Sequence, residues 1–244
     1  MTTVRRAYVF ACLVVTALCA CHDEHWLTYP WDDRQVLCSE PFDDLKESVP
    51  WGLIDDQMNV AEATNSVLLL HAHIPGRSVS LDAIKRVLEM ARTHQLEFLT
   101  IRDLDANAPP RRGLALGFDD DSVELWYGLR GLFDEYGAKI TFNVSRWYMK
   151  TDEQRAELRQ MFEEGHDVEP HSVNHLHAPE YVQKHGLAAY MANEMRPSIE
   201  GLLEAGYPPP MIYPYPFGLD SVELNDAILK FVPRVRVSPA ACPY

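Results

Sequence analysis

From residue 66 onward the sequence alternates short apolar runs with helical patterns, and this alternation restricts the fold more than any other feature. The apolar runs lie at 67–70, 98–101, 114–118, 139–144, 167–169, 211–213 and 235–237, each of strand length. Between them, Leu81, Ile84, Leu88 and Ala91 recur at helical spacing behind Ser80, and Leu125, Leu129, Leu132 and Phe133 do so ahead of Gly137. Thr151 with Gln154, and Asp220 with Glu223, carry the capping-box pattern. A helical stretch over 179–206 contains Pro197, which must kink or divide it, because proline lacks the N–H and crowds the preceding turn. Alternation of this kind predicts an α/β fold with a largely parallel sheet under helices, open or closed into a barrel. Its chemistry should collect at the carboxyl ends of the strands.

The start of the chain reads differently. Arg5 and Arg6 precede a largely apolar run over 7–18 and then small residues, the pattern of a secretory signal over residues 1–20. Twelve residues are too few to span a bilayer as a helix. Leu18-Cys19-Ala20-Cys21 resembles a bacterial lipobox, with cleavage before Cys21 leaving that thiol for lipid attachment; ordinary secretion after Ala20 is the alternative. Both place the mature protein outside the cytoplasm, and the first makes the membrane a partner through a lipid anchor. There, Cys38 and Cys242 either pair or remain thiols. Residues 22–65 are rich in Trp, Asp and Pro without a sustained period, so 21–65 reads as a tether and irregular wrap ahead of the strand-helix domain over 66–244. With 22 Lys and Arg against 36 Asp and Glu, the net charge of −14 repels phosphate backbones and argues against nucleic-acid binding.

Three polar clusters fall at predicted strand ends. In the first, 114–118 runs into Asp119, Asp120 and Asp121, adjacent like charges that need a cation or solvent to neutralise them. The second holds His171 and His175, whose four-residue spacing on a helical turn would set both imidazoles on one face. Ten histidines in 244 residues supply about 0.4 such pairs by chance, so the placement after a strand matters more than the spacing. The third, Tyr213-Pro214-Tyr215-Pro216-Phe217-Gly218, offers a proline-stiffened loop with aromatic faces.

In this order the clusters resemble the polysaccharide deacetylases of the nodulation-protein-B homology type, carbohydrate esterase family 4. Gly117-Phe118-Asp119-Asp120-Asp121 is similar to the family's Thr-Phe-Asp-Asp-Gly motif, His171-Ser172-Val173-Asn174-His175 to its His-(Ser/Thr)-x-x-His motif, and Tyr215-Pro216-Phe217-Gly218 to its third. The likeness extends upstream to 67–71 and 97–104 and covers about residues 66–238. It implies a distorted (β/α) barrel, here incomplete at the C-terminus, and a metal-dependent removal of N-acetyl, less often O-acetyl, groups from a cell-envelope or extracellular polysaccharide.

The resemblance also implies roles. Asp120, His171 and His175 would hold a divalent metal, most simply Zn²⁺, with Co²⁺ or Ni²⁺ as substitutes; Asp119 would be the base. The backbone N–H of Phe217 would face the oxyanion, and Tyr215, Pro216 and Phe217 would line the sugar groove. His166 would be structural. Two departures stand out. The arginine that orients the base in many relatives is Pro214 here, and the Leu-x-His motif that supplies the general acid beyond the third motif is missing. His71 and His73 are the local substitutes. If none serves, the chain reads instead as a fragment or as a catalytically silent carbohydrate-binding lipoprotein.

Overall fold

The computed structural model describes residues 26–244; the predicted leader and Cys21 lie outside them. Strands β1 (Thr28–Tyr29), β2 (Val36–Cys38) and β3 (Glu40–Pro41) lead into helix α1 (Trp51–Thr64). There follow β4 (Val67–Ala72), α2 (Leu81–Thr93), β5 (Glu97–Phe98), β6 (Gly113–Asp120), α3 (Val123–Tyr127), α4 (Arg130–Tyr136), β7 (Ile140–Val144), α5 (Asp152–Glu163) and β8 (Asp167–Pro170). The remaining elements are α6 (Ala178–His185), α7 (Leu187–Tyr190), α8 (Arg196–Glu204), β9 (Tyr213–Pro214), α9 (Val222–Ile228) and β10 (Val235–Val237).

Helix α1 replaces the irregular wrap predicted for 22–65. Its apolar period is only Ile54, Met58 and Ala61, all fully buried, so packing rather than pattern length makes this helix. Ser80 caps α2 by accepting the Ala83 N–H at 3.0 Å, and the capping box of Thr151 and Gln154 forms on α5. On α9 the cap is Ser221 rather than Asp220. Pro197 sits in the first turn of α8, where no N–H is needed, behind a π-helical turn at Met191–Met195.

One sheet runs β1-β4-β6-β7-β8, with β3 on β4 and β5 on β6; the other runs β2-β10-β9. Among the described strands, only β1 against β4 is antiparallel. The sheets meet where β2 passes into β3 at Ser39, whose N–H donates to Val237 O at 3.2 Å. Opposite this seam, no strand pairing joins β8 to β9 among the described residues. There the Glu169 carboxylate accepts the N–H groups of Met211 at 3.0 Å and Ile212 at 3.4 Å, a side chain standing in for the missing ladder. The barrel is distorted and open at that seam.

Phe118, Trp126, Phe133 and Phe142 pack inside α3 and α4. His166 is buried against Phe133 and Phe142 and accepts the Ile140 N–H at 3.0 Å, the structural place expected of it. Cys38 and Cys242 form a disulfide that ties β2 to the segment after β10. No helix among the described residues is long and apolar enough to cross a membrane.

Candidate active site

Parallel strands carry the polar side chains to one rim. β6 ends on Asp119 and Asp120, β8 stops one residue before His171, and β4 bears His71 with His73 just beyond it. The turn holding Phe217 follows β9, and Arg236 lies in β10. These residues surround a cavity of about 400 Å³.

The nearest ligand atoms of Asp120, His171 and His175 all lie within 4.8 Å of one another. Asp120 Oδ1 is 3.0 Å from His175 Nε2 and 3.8 Å from His171 Nε2, yet this buried oxygen accepts no well-aligned hydrogen bond. His171 Nδ1 is 3.0 Å from the Pro214 carbonyl oxygen, so Nδ1 carries the proton and the Nε2 lone pair faces Asp120. Burial pushes His171 down to about 4, leaving it neutral. Ligand bonds of about 2.1 Å in a tetrahedral site set donor atoms about 3.4 Å apart, between the two separations found. A buried carboxylate oxygen without an aligned hydrogen bond, beside two imidazoles, fits a divalent cation.

The second motif reaches this geometry by a route its spacing did not suggest. Residues 171–175 form a loop rather than a helical turn, with Ser172 (φ 64°) and His175 (φ 58°) in the left-handed region. Ser172 Oγ accepts the His175 N–H at 2.9 Å. Buried Glu194, on the π-helical turn, accepts the Asn174 N–H at 2.8 Å and its Nδ2 at 2.6 Å. Asp120 (φ 85°) and Phe217 (φ 62°) are also left-handed. Four such non-glycine residues in the loops that carry the site are a local cost that the surrounding fold sustains.

Asp119 is buried, and Arg236 grips it, Nη1 to Oδ1 at 3.1 Å and Nη2 to Oδ2 at 2.5 Å. Asn143 Nδ2 adds a third bond at 2.8 Å. Burial opposes the charge on Asp119, but the Arg236 guanidinium outweighs it and holds the carboxyl well below the usual range. The departure at Pro214 therefore does not leave this carboxylate loose; the guanidinium arrives from β10 instead. Asp121 turns away to Arg146, at 3.0 Å.

His71, His73 and Asp119 form a second close group. His71 is buried, with Nδ1 2.9 Å from Ser39 Oγ; burial and Arg236 push it well below its ordinary pKa. His73 sits at the rim with Nδ1 2.5 Å from Oδ2 of Asp43, a buried carboxylate that also accepts from Ser78 Oγ at 2.6 Å. Burial works against a proton on His73, yet Asp43 and Asp119 prevail and raise it to about 9. Of the predicted sugar-groove residues, Tyr215 and Pro216 are buried, and the Tyr215 hydroxyl donates to Asn225 at 2.8 Å. Phe217 is 59% exposed, its ring centroid 4.8 Å from that of His175.

Arg236, Asp43, Asn143 and Glu194 were missed in the sequence because each acts from an element outside the three clusters. His73 carried a signal, a histidine two residues beyond another at a strand end, but nothing local pointed to Asp43.

Residues 106–232, just over half of the chain, match the family model described as polysaccharide deacetylase. No curated protein matches the sequence. Among solved structures, the fold is similar to the Streptococcus pyogenes deacetylase PplD in complex with acetate, at 17% identity and TM-score 0.52 over 71% of this chain and 92% of that one. It is similar to IcaB from Ammonifex degensii at 16% identity and TM-score 0.54, covering 72% and 94% of the two chains. The BpsB deacetylase domain from Bordetella bronchiseptica follows at 12% identity and TM-score 0.51, covering 87% and 97%.

Proposed function

We propose, because this chain belongs to the polysaccharide deacetylase family, that it hydrolyses N-acetyl groups on an extracytoplasmic polysaccharide with Asp120, His171 and His175 holding a divalent cation. The observation that carries this reading is the buried Asp120 oxygen, which accepts no well-aligned hydrogen bond yet stands 3.0 and 3.8 Å from two imidazole Nε2 atoms. When bound, the cation supplies Lewis acidity, acidifying water and polarising a carbonyl.

The remaining work falls to the chain. Asp119, kept ionised by Arg236, accepts the proton of the attacking water as its oxygen bonds to the acetyl carbon. The Phe217 N–H stabilises charge on the acetyl oxygen. His73, which Asp43 keeps protonated near neutrality, gives its proton to the departing nitrogen as the C–N bond breaks, leaving acetate and a free amine. An amine leaves poorly without that proton, so a protonated histidine supports the N-acetyl reading. It also supports a hydrolase over a silent carbohydrate-binding lipoprotein, whose premise was a missing acid. The exposed Phe217 ring suits stacking on a sugar.

The leader-like start and the Cys38–Cys242 disulfide support an extracytoplasmic location, with Cys21 as the lipid anchor. Acetate release from an N-acetylated oligosaccharide, with Zn²⁺ or Co²⁺ added, tests the reaction. Loss of release in both Asp119→Asn and His171→Ala is expected; release undiminished in either would overturn these roles.

A further inference from the structure

A second cavity of about 310 Å³ adjoins the first and shares Pro41, Glu47 and Ser238 with it. Glu40, on β3, lines this cavity and is only 8% exposed. Its carboxylate has no hydrogen bond or ion pair among the described residues. Glu47 lines the same space, and Lys46, on the catalytic side, pairs with neither. Burial and then Glu47 raise Glu40 to about 6, so near neutral pH two carboxylates face one cavity without a counter-charge. A largely buried carboxylate that opens only onto a cavity gains when a cation enters and donates hydrogen bonds to it.

The shared wall limits what that cation is. A polysaccharide with an acetyl group at Asp120 and His171 places a nearby sugar unit in the adjoining space. A neutral acetamide there could donate its N–H to Glu40 but would leave the charge uncompensated. The ammonium of a unit that has already lost its acetyl group would satisfy it, and the overall charge of −14 favours a cationic chain.

We propose that the Glu40–Glu47 cavity is a subsite for a sugar unit bearing a free amino group, so that the protein favours stretches of polymer already partly deacetylated. This rests on the deacetylase reading, and binding measurements separate the two. Titration calorimetry on the full chain compares a glucosamine tetrasaccharide with its fully N-acetylated counterpart. The amine form is expected to bind about tenfold more tightly at low salt. That difference should vanish in Glu40→Gln and shrink in Glu47→Gln, an exposed position where folding is not at stake. Equal affinities in the wild type, or a preference that survives both substitutions, would overturn the subsite. Acetate release from the N-acetylated tetrasaccharide reports separately: release without amine preference sinks the subsite alone, whereas preference through Glu40 without release sinks the reaction alone.

Discussion

Arg236 and Asp119, 117 residues apart, meet in a buried two-pronged ion pair at 3.1 and 2.5 Å. The pair keeps the carboxylate free of protons and fixed in direction. Arg236→Ala strands a buried negative charge, so the fold should lose about 3–5 kcal/mol. Asp119 then regains a higher pKa, and the acid limb of the kcat/KM profile moves to higher pH. Arg236→Lys, which keeps the charge but loses the fork, should retain most of the stability and less of the rate. A pH–rate profile for both variants with thermal melts checks this; an acid limb that stays put in Arg236→Ala would contradict it.

In the proposed mechanism His73 sets the opposite limb. Its pKa is raised from 6.5 to about 9, so activity that needs its proton should fall as pH climbs through about 9. His73→Gln should cost about 10² to 10⁴ in kcat on an N-acetyl substrate, and much less on an aryl acetate whose leaving group needs no proton. In Asp43→Asn the alkaline limb should shift downward. The same raised pKa means that the charged form of His73 stabilises the fold fully below about pH 6.5, and this contribution is lost as pH rises through about 9.

Metal removal should act on both rate and melting. A chelator should abolish acetate release, and Zn²⁺ or Co²⁺ should restore it. With free Zn²⁺ at about a hundred times its Kd, the melting midpoint should rise by roughly 5–10 °C, from about 2.7 kcal/mol of binding linkage. His171→Ala should show neither effect, and elemental analysis should find less than one ion per chain.

The disulfide closes a span of 204 residues. In the chain-entropy account its removal costs about 5 kcal/mol, with measured values of about 2–5. Cys38→Ser with Cys242→Ser, or reduction of the wild type, should therefore lower the melting midpoint by roughly 5–15 °C. Melts with and without reductant measure it.

The sequence disclosed what repeats or sits together. Strand-helix alternation was legible because each run has its own period, and Asp119, Asp120, His171 and His175 were legible because they crowd strand ends. Helix α1 escaped notice because only Ile54, Met58 and Ala61 mark its buried side. Arg236 lies between two valines of a strand and looks like any outward-facing polar residue. Only the β10 pairing turns it toward Asp119. Glu194 is equally mute, since a π-helical turn brings it under residues 173–174 and no helical spacing foretells that. The family's Leu-x-His motif lies downstream of its third motif, whereas His71 stands upstream on β4 beside β6, with His73 just past that strand's end.

Gly218 (φ 66°) lies so close to Ser238 that a Cβ on it would come 2.5 Å from the serine's own, and its carbonyl accepts the Ser238 N–H at 2.9 Å. Two residues before Ser238, in β10, is Arg236, and one residue before Gly218 is Phe217. The clamp on the proposed proton acceptor and the turn proposed to face the oxyanion are thus both tied to β10. A displacement of a few tenths of an ångström there would retune both at once, leaving variants little room to adjust one function independently of the other.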